Sequence, residues 1–536
     1  MKEARLFSEI DAFLADGPPL SPFGRAAREK EEFLSERAPL EREYDLVERL
    51  LSFLRADGAA AERVEGRLRR MPPLDFDLDA PLGLGELFLL KKFLLNVRAA
   101  FAELPEALRA ELGAAWESEE LYRALCRGGG EEEVFRISEE GLPALKDVRA
   151  RIRTLEAELR HLQDRKLSEI RERCGLEFSG REFLVLPEAE ARRHFGDADL
   201  FIEPHDASRV VVKPVFGPRP LELSAARERL LEEERAREAE VLSSLSAAAA
   251  REGACVRGYG DAVGHLDALL AKARLAQRHR LVRPRLLDFG AAVTVRGGRH
   301  VPLEERNRAL GLDYTPLECA LEARVGILRG SNMGGKTAAL KTLALLQLLA
   351  QTGHFVPAEA FETPLFERLD YVGEGPREEP AGLSSFGLEL HALLAVLRGR
   401  SARRLVLMDE FAKTTNSAEG AALLSAVLHV FARTPSYYAL VSTHLSGLAL
   451  PEGVAAWRMR GFDEKAFKDF LGAETGGTLT ERLARIHRYM RYELVADDAS
   501  PRAGDALKVA RVLGLDADVV DSAERLLALQ ADAGKG

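Results

Sequence analysis

The first 130 residues carry the hydrophobic pattern of packed helices. Apolar residues recur at helical spacing at Val47, Leu50, Leu51 and Leu54, and the segment 87–101 repeats the pattern with charged residues between the apolar ones. Two prolines within residues 71–74 interrupt the pattern. A run of three glycines at 128–130 marks a joint. We therefore predict a helical N-terminal core region over residues 1–130.

The next part of the chain, residues 131–285, has the pattern of long helices around a β-containing insertion. From Leu145 the apolar positions alternate in steps of three and four, which is typical of a heptad seam, at Val148, Ile152, Leu155, Leu159 and Leu162. Further helical stretches are predicted over 224–250 and 259–277, with β-like runs at 183–186 and 210–212 between the first two helices. The pattern predicts an arm of two helices with a tip at about 177–222. A plain helical hairpin with an inserted loop is the alternative.

From about Leu286 short β-rich runs alternate with helices, as in a doubly wound α/β domain. We predict that this domain covers residues 286–450 and is completed by residues 451–536. Strands of such a sheet end at one edge, which is where ligands bind. Candidate chemistry is therefore expected at the ends of the apolar runs in this part of the chain.

A glycine-rich octet lies between an apolar strand, predicted over 323–328, and an apolar helix, predicted over 337–350. Its residues are Gly330, Ser331, Asn332, Met333, Gly334, Gly335, Lys336 and Thr337. Glycines let backbone amides converge on phosphate oxygens, and the helix N-terminus adds its dipole. Lys336 would neutralise the β- and γ-phosphates and Thr337 would ligate Mg²⁺. The octet predicts a P-loop that binds ATP with Mg²⁺; a structural glycine turn is the alternative.

Two later strands end in polar residues suited to the same reaction. The apolar run 405–408 leads into Asp409, predicted to hold Mg²⁺, and Glu410, predicted to act as the base that polarises the attacking water. The run 438–441 leads through Ser442 and Thr443 to His444, for which we predict a role at the γ-phosphate or the attacking water. Most Asp-Glu pairs are solvated and most single histidines are structural. The order of the three motifs favours the catalytic interpretation.

Composition limits the class of protein. The chain has 536 residues, of which 46% are hydrophobic and 30% charged, so it can bury more than one core. It contains no apolar run of 18 residues and starts without a signal-like pattern, which predicts a cytoplasmic protein that uses no membrane. Its four cysteines are far apart and are expected to be reduced thiols. The formal net charge of −10 excludes a uniformly basic surface but leaves room for a local DNA-binding groove.

The motifs together resemble the MutS family, the mismatch-repair group of the ABC-type ATPases. The resemblance rests on the P-loop 331–336, the run 353–358, the segment Ser384-Ser385-Phe386 with Glu389, Asp409-Glu410 followed by residues 414–417, and Ser442-Thr443-His444. Further similarity upstream and near the end extends it over about residues 135–530. It implies an α/β P-loop ATPase domain of the ABC type, preceded by a mainly α-helical lever and core region with a small β-containing clamp tip.

The family also implies a dimer. In its head-to-tail arrangement, Ser384 of one subunit would reach the γ-phosphate held by Lys336 of the other, and residues 451–536 would contain dimerisation helices. The sequence departs from the family in two respects. The first 130 residues are too few for both a mismatch-reading and a connector domain, and the chain ends too soon for the carboxy-terminal nuclease domain of another branch. The tip, between Glu177 and Arg219, has six basic and eight acidic residues, a net formal charge of −2.

Two functions therefore stay open. The first, which the family favours, is ATP-driven opening and closing of a dimeric clamp on DNA, as in mismatch repair or recombination, without base-specific reading of a mismatch. The second is an ATP-dependent reactivating chaperone for a metabolic enzyme, such as a cobalamin-dependent aminomutase. The acidic tip and the missing mismatch reader motivate this second hypothesis, because phosphate contacts need an excess of positive charge.

Overall fold

The computed structural model describes residues 1–126, 139, 142–330, 335–374, 384–463, 490–497 and 505–533. The chain folds into two compact units. Residues 1–65, 105–112 and 263–536 form the first unit, and residues 66–104 and 113–262 form the second. Within the described ranges, no helix combines the length and the apolar character needed to cross a membrane.

Helices fill the N-terminal part of the chain, as its hydrophobic pattern predicts. They are α1 (Lys2–Ser8), α2 (Ile10–Leu14), α3 (Pro22–Glu29), α4 (Arg37–Ala56), α5 (Gly58–Arg69), α6 (Leu84–Glu103), α7 (Glu106–Glu111) and α8 (Glu119–Cys126). The two prolines after Met71 lie between α5 and α6, where a helix cannot continue. Helix α3 begins with Ser21, whose Oγ accepts a hydrogen bond from the backbone N–H of Gly24, and with Pro22 at its first position.

The second unit contains the long helix of the heptad pattern. In chain order its elements are α9 (Pro143–Cys174), β1 (Leu184–Pro187), α10 (Glu188–Ala191), a 3-10 turn (Arg192–His194), β2 (Leu200–Pro204), β3 (Arg209–Pro214) and α11 (Pro218–Arg251). Helices α9 and α11 run antiparallel, because Arg149 pairs with Glu234 at 2.6 Å while Glu156, further along α9, pairs with the earlier Arg227 at 2.8 Å. Val148 and Ile152 of the predicted seam are buried against Leu230. The predicted long helix is therefore present, and its seam is buried at Val148 and Ile152.

Between these helices lies a three-stranded antiparallel sheet with the order β1-β3-β2. Strands β1 and β3 follow the predicted β-like runs, whereas β2 was not predicted. One face of the sheet is buried with the end of α9, through Ile170, Leu176, Phe178, Leu200, Val210 and Val212. The sheet thus has its own small core within the second unit.

Strands and helices alternate in the rest of the first unit. After α12 (Gly253–His279) come β4 (Arg285–Leu287), β5 (Val293–Gly298), α13 (Val301–Ala309), β6 (Leu317–Leu321), β7 (Val325–Arg329), α14 (Lys336–Gln351), β8 (Ala360–Pro364), β9 (Arg368–Gly373), α15 (Ser385–Arg398), β10 (Arg404–Asp409), α16 (Ser417–Arg433), β11 (Tyr437–Thr443), β12 (Val454–Phe462), β13 (Met490–Ala496), α17 (Asp505–Leu513) and α18 (Ala517–Ala533). Both predicted helices, 259–277 and 337–350, lie within observed ones. The mixed α/β character of this region is as predicted.

A six-stranded sheet, in the order β13-β12-β7-β11-β10-β9, positions the chemistry. Strands β12, β7, β11, β10 and β9 are parallel, and β13 pairs antiparallel with β12. The central strands are apolar and almost fully buried, as at Ile327, Val406 and Val441, which is typical of a parallel sheet covered on both faces. The carboxyl ends of β7, β10 and β11 consequently meet at one edge.

A second sheet, in the order β4-β8-β5-β6, differs from the predicted simple alternation. Strand β5 pairs antiparallel with both β6 and β8, and β4 pairs parallel with β8. The doubly wound pattern accounts for the six-stranded sheet but not for this one. The pairing of β4 joins Arg285 with Glu362, residues far apart in the chain, and such non-local pairing leaves no local sequence signal.

Candidate nucleotide site

The predicted P-loop lies between β7 and α14. Residues 331–334 (Ser331, Asn332, Met333 and Gly334) lie outside the described residues, whereas both flanking glycines are described. Gly330 has φ 146° and Gly335 has φ 91°, conformations that a side chain would strain. A Cβ atom at Gly335 would also lie 2.8 Å from the ring of Tyr492. Both positions therefore require glycine on steric grounds.

Lys336 is the first residue of α14 and is almost fully buried, with its residue 2% exposed. Its Nζ donates a hydrogen bond to the backbone carbonyl of Gly330 at 2.7 Å and lies 3.5 Å from Oε1 of Glu410. Burial lowers the pKa of Lys336 from its ordinary value, while Glu410 acts in the opposite direction. A buried ammonium group at the start of a helix and beside a glycine loop is suited to bind phosphate oxygens.

Asp409 accepts hydrogen bonds from two hydroxyl groups. Thr337 Oγ1 donates to its Oδ2 at 2.8 Å, and Ser442 Oγ donates to its Oδ1. The parallel register places Asp409 directly opposite Ser442 at the ends of β10 and β11, and Thr337 arrives from the first turn of α14. One carboxylate and two hydroxyl groups therefore lie together where the edge of the sheet meets the start of α14.

These oxygen donors fit Mg²⁺, which prefers one or two carboxylates and hydroxyl oxygens together with water and phosphate. In the described part of the chain, no group of three or more His, Cys, Asp or Glu side chains could hold a metal by itself. Thr337 and Asp409 are therefore the residues that would hold Mg²⁺ together with a nucleotide.

Glu410 has a backbone conformation that is rare outside glycine, with φ 51°. Its N–H is directed at the backbone carbonyl of Ser442 at 3.1 Å and at the Ser442 hydroxyl at 3.2 Å. Ala412 has φ 63°, and its N–H donates to the buried carboxylate of Glu389 at 2.9 Å. Each such residue costs on the order of 1–3 kcal/mol, so these contacts hold a strained loop that presents the Glu410 side chain.

The remaining two predicted residues lie apart from this cluster. Ser384 is exposed and caps α15, where its Oγ accepts a hydrogen bond from Gly387 N–H at 3.2 Å. His444 is exposed immediately after β11. Among the described residues, neither side chain forms a hydrogen bond or ion pair with Lys336, Thr337, Asp409 or Glu410.

Two pockets adjoin Thr337. The first, of about 390 Å³, is bounded by the start of α14 and by Arg306, Tyr314, Met459 and Tyr492. Burial raises the pKa of Tyr492 to about 12, so its ring is uncharged at neutral pH. Aromatic and thioether surfaces beside a phosphate loop suit a planar base. These lining residues were not predicted, because they come from three separate elements and a loop.

The second pocket, of about 350 Å³, contains Asp409, the predicted metal ligand, and Glu410, the predicted base. Asp409 and Glu410 line it together with Lys413, Glu374 and residues of α1. Lys413 and Glu374 were also missed from the sequence. A positive charge three residues after Glu410 is a weak signal, because most charged residues in such loops are solvated.

Comparison with known proteins places these motifs in a family. Residues 326–529 match the model of MutS domain V. The chain is 31% identical to the DNA mismatch repair protein MutS of Thermus aquaticus over 455 residues, which is 78% of this chain and 51% of that protein. It is 33% identical over 299 residues to a DNA mismatch repair protein MutS of Thermus thermophilus, covering 55% of this chain and 33% of that one.

A relative with a different printed name also matches part of the chain. The Endonuclease MutS2 of Lacticaseibacillus paracasei is 31% identical over 328 residues, which is 59% of this chain and 39% of that protein. The chain thus spans between about a third and about half of the length of these curated relatives.

Proposed function

The chain belongs to the MutS family, whose members are ATPases, and from this premise we propose that it hydrolyses ATP at the site around Lys336. The observation that carries the proposal is the convergence of four side chains at one sheet edge. Lys336, Thr337, Asp409 and Glu410 are linked by contacts of 2.8 Å and 3.5 Å beside the start of a helix. We also propose that this domain has the fold of the ABC-type ATPases and that it uses Mg²⁺.

We assign a role to each residue of the site from its position. Amides of the glycine loop and the start of α14 bind the phosphates, and Lys336 moves from the Gly330 carbonyl onto the β- and γ-phosphate oxygens. Thr337 and Asp409 would hold Mg²⁺, which would neutralise charge on the phosphates. Glu410 accepts a proton from the water whose oxygen attacks the γ-phosphorus, while the bond from that phosphorus to the bridging oxygen breaks. The products are ADP and phosphate.

We propose that the adenine ring of ATP occupies the pocket lined by Tyr314 and Tyr492. For Ser384 and His444 we propose roles at the γ-phosphate, Ser384 from the partner subunit of a head-to-tail homodimer. The exposure of Ser384 at the start of α15, away from the cluster of its own chain, supports a contribution in trans. Binding across the interface would then close the dimer, and hydrolysis would open it.

Substitution of the two central residues tests the ATPase proposal. Lys336→Ala removes the phosphate-binding charge and is expected to abolish ATP binding. Glu410→Gln keeps shape and hydrogen bonding, so it is expected to bind ATP normally and to lose about 100- to 10,000-fold in turnover. The exposed Lys30→Ala and Glu452→Gln are matched controls. Normal turnover in the Glu410→Gln protein would refute the role of the carboxylate.

Mixed dimers test the contribution of Ser384. A Ser384→Ala subunit keeps its own Lys336, and a Lys336→Ala subunit keeps its own Ser384, so a mixed dimer regains one complete site. Each variant alone is expected to be inactive and the mixture to recover part of the wild-type rate. Absence of recovery from two folded variants would contradict the trans arrangement. The substitution at Ser384 also removes a helix cap worth about 1 kcal/mol, so folding is checked by thermal unfolding.

We propose that the chain binds DNA. Helices α9 and α11 and their β-containing tip would contact the DNA backbone and recognise its shape. Binding is measured at rising salt concentration with homoduplex, mismatched and four-way-junction DNA, with and without ATP. Contacts to phosphate predict a steep fall in affinity as salt rises. Similar affinity for matched and mismatched duplexes is expected for a clamp that does not read bases.

One observation favours the second function, ATP-driven reactivation of a metabolic enzyme. Five of the six basic residues counted in the tip form ion pairs with acids of the same unit: Arg192 with Glu188, Arg193 with Glu190, Arg209 with Asp206, Lys213 with Glu203, and Arg219 with Glu158. Such pairs leave little positive charge for phosphate. Robust ATPase activity without DNA binding at low salt would make a protein client the better hypothesis.

A further inference from the structure

The carboxylate of Glu410 lies between two lysines. Lys336 Nζ is 3.5 Å from Oε1, and Lys413 Nζ is 3.7 Å from Oε2. The Glu410 side chain is only 14% exposed, so both charges act through a medium less polar than water. Each oxygen of the proposed base therefore has its own cation.

Lys413 is itself held in place. Its Nζ lies 2.8 Å from Oε2 of Glu374, and this hydrogen bond raises the pKa of Lys413, which keeps the side chain charged. The backbone carbonyl of Glu374 accepts a hydrogen bond from the Tyr371 hydroxyl at 2.8 Å. The Tyr371 ring is stacked on Phe7 of α1 with the ring centroids 3.9 Å apart. A chain of contacts thus fixes the anchor of Lys413.

Nucleotide binding is expected to change the contacts of Lys336 but not those of Lys413. Lys336 starts the P-loop helix and also donates to the Gly330 carbonyl at the edge of the glycine loop, so phosphates compete directly for its ammonium group. Lys413 extends from the loop after β10, approaches the other carboxylate oxygen of Glu410 and is also paired with Glu374. Lys341, also in this pocket, is engaged by Glu9 at 2.6 Å. We therefore expect Lys413 to keep its contact with Glu410 when Lys336 moves to the phosphates.

We propose that Lys413 is a positioning residue for the hydrolysis step, and that Glu374 sets its position. When Lys336 moves to the phosphates, Oε1 of Glu410 becomes free to accept the proton of the attacking water, while Lys413 retains Oε2 and fixes the orientation of the carboxylate. This inference rests on the proposed function, because it presupposes that Glu410 is the base. Lys413 touches neither water nor phosphate in this scheme.

Steady-state ATPase kinetics of three variants of the full chain test the proposal. Lys413→Met removes the charge but keeps the length of the side chain. It is expected to lower kcat about ten- to a hundredfold, because a misoriented base loses much of its effect, while the KM for ATP changes less than about twofold. Lys413→Arg, which can still pair with both carboxylates, is expected to recover most of kcat. Glu374→Gln is expected to give a smaller decrease in kcat, also at constant KM.

A merely structural ion pair predicts different results. Lys413 is 31% exposed, so loss of a surface pair costs little stability and leaves kcat unchanged. A kcat of Lys413→Met within twofold of wild type would overturn the proposal, as would equal losses in Lys413→Met and Lys413→Arg. Thermal unfolding checks that each variant is folded, and Glu374→Gln supplies an independent measurement.

The Glu410→Gln protein separates this inference from the proposed function. If Glu410→Gln hydrolyses ATP at the wild-type rate, the assignment of the base fails, whatever Lys413 does. If Glu410→Gln is inactive and Lys413→Met is fully active, only the positioning role fails. With both correct, Lys413→Met causes no further loss in the Glu410→Gln background, because the two residues act as a unit.

Discussion

Replacement of Lys272 by Met removes the centre of a buried ionic network in the first unit. Lys272 lies in α12 with its side chain 6% exposed, and its Nζ is 3.0 Å from Glu31, 3.2 Å from Glu43 and 2.9 Å from the backbone carbonyl of Thr352. Thr352 follows the last residue of α14, the helix that starts at Lys336. The network therefore connects α12 and the N-terminal helices with the far end of the proposed P-loop helix.

The size of the effect follows from the burial of these charges. Burial acts to raise the pKa of Glu43, but hydrogen bonding from His265 and the charge of Lys272 outweigh it and hold the pKa at about 2, below the ordinary value of 4.5. That difference corresponds to roughly 3 kcal/mol of stabilisation of the charged form. Removal of one partner from a buried ionic group typically costs about 3–5 kcal/mol, because the other charges stay buried without compensation. We expect Lys272→Met to cost an amount in this range.

Thermal unfolding measures the loss. For a unit of this size we expect the unfolding midpoint to fall by about 4–7 °C. Lys30→Met is the matched control, since Lys30 is exposed at the end of α3, and its effect should stay within about 0.5 kcal/mol. Equal midpoints for the two variants would refute the reasoning.

The dependence on pH provides a second check on the same variant. Because the folded-state pKa of Glu43 is depressed, its stabilisation is fully present above pH 4.5 and is lost as the pH falls toward 2. Without Lys272 the variant's Glu43 takes up a proton more readily. The difference in the free energy of unfolding between wild type and variant should therefore be largest at neutral pH and should narrow as the pH falls through 4.5 toward 2. A gap that is constant with pH would show that the cost is due to packing rather than charge.

Other substitutions probe the site and its sheet. Thr337→Val removes a donor to Asp409, so a Mg²⁺ titration of ATPase activity should show a higher Mg²⁺ requirement and a kcat lowered about tenfold. Tyr492→Ala removes aromatic surface from the 390 Å³ pocket and should raise the KM for ATP about five- to tenfold at constant kcat. Gly326→Ala should destabilise the protein by at least about 1–3 kcal/mol in thermal unfolding, because a Cβ there would lie 1.9 Å from the Trp457 ring. Asp370→Asn should destabilise by about 3–5 kcal/mol in chemical unfolding, because it breaks the buried 2.6 Å pair with Arg404.

Each of these expectations has an opposite outcome that would contradict it. An unchanged Mg²⁺ requirement would remove Thr337 from the proposed metal site. An unchanged KM in Tyr492→Ala would show that the adenine ring of ATP binds elsewhere. A Gly326→Ala protein as stable as wild type would mean that Trp457 moves aside at little cost. Retention of full stability in Asp370→Asn would show that a neutral hydrogen bond suffices for Arg404.

Elements with a strong local period could be predicted well. The 3-4 spacing from Leu145 corresponds to α9, and the apolar runs before Lys336, Asp409 and His444 correspond to β7, β10 and β11. Each of these segments buries a regular face or is buried on all sides, so its residues alone indicate its conformation. The four-stranded sheet was missed because β4 and β5 pair with β8, which lies much further along the chain. Strand β2 was missed although it forms a local hairpin with β3, because only Leu200 of its five residues is buried.

By itself the sequence determined the order of strand, glycine loop and helix, and the residue types that can bind phosphate and magnesium. Those properties depend on neighbouring residues: backbone freedom at Gly330 and Gly335, and apolar runs that must be buried. The tertiary structure decided which side chains from distant elements surround them. It brings Glu374 to Lys413, and Tyr492 to Gly335, through strand register and loop conformation. The physical reason is that a side-chain contact across the sheet edge requires the whole sheet to form, and no local sequence period encodes it.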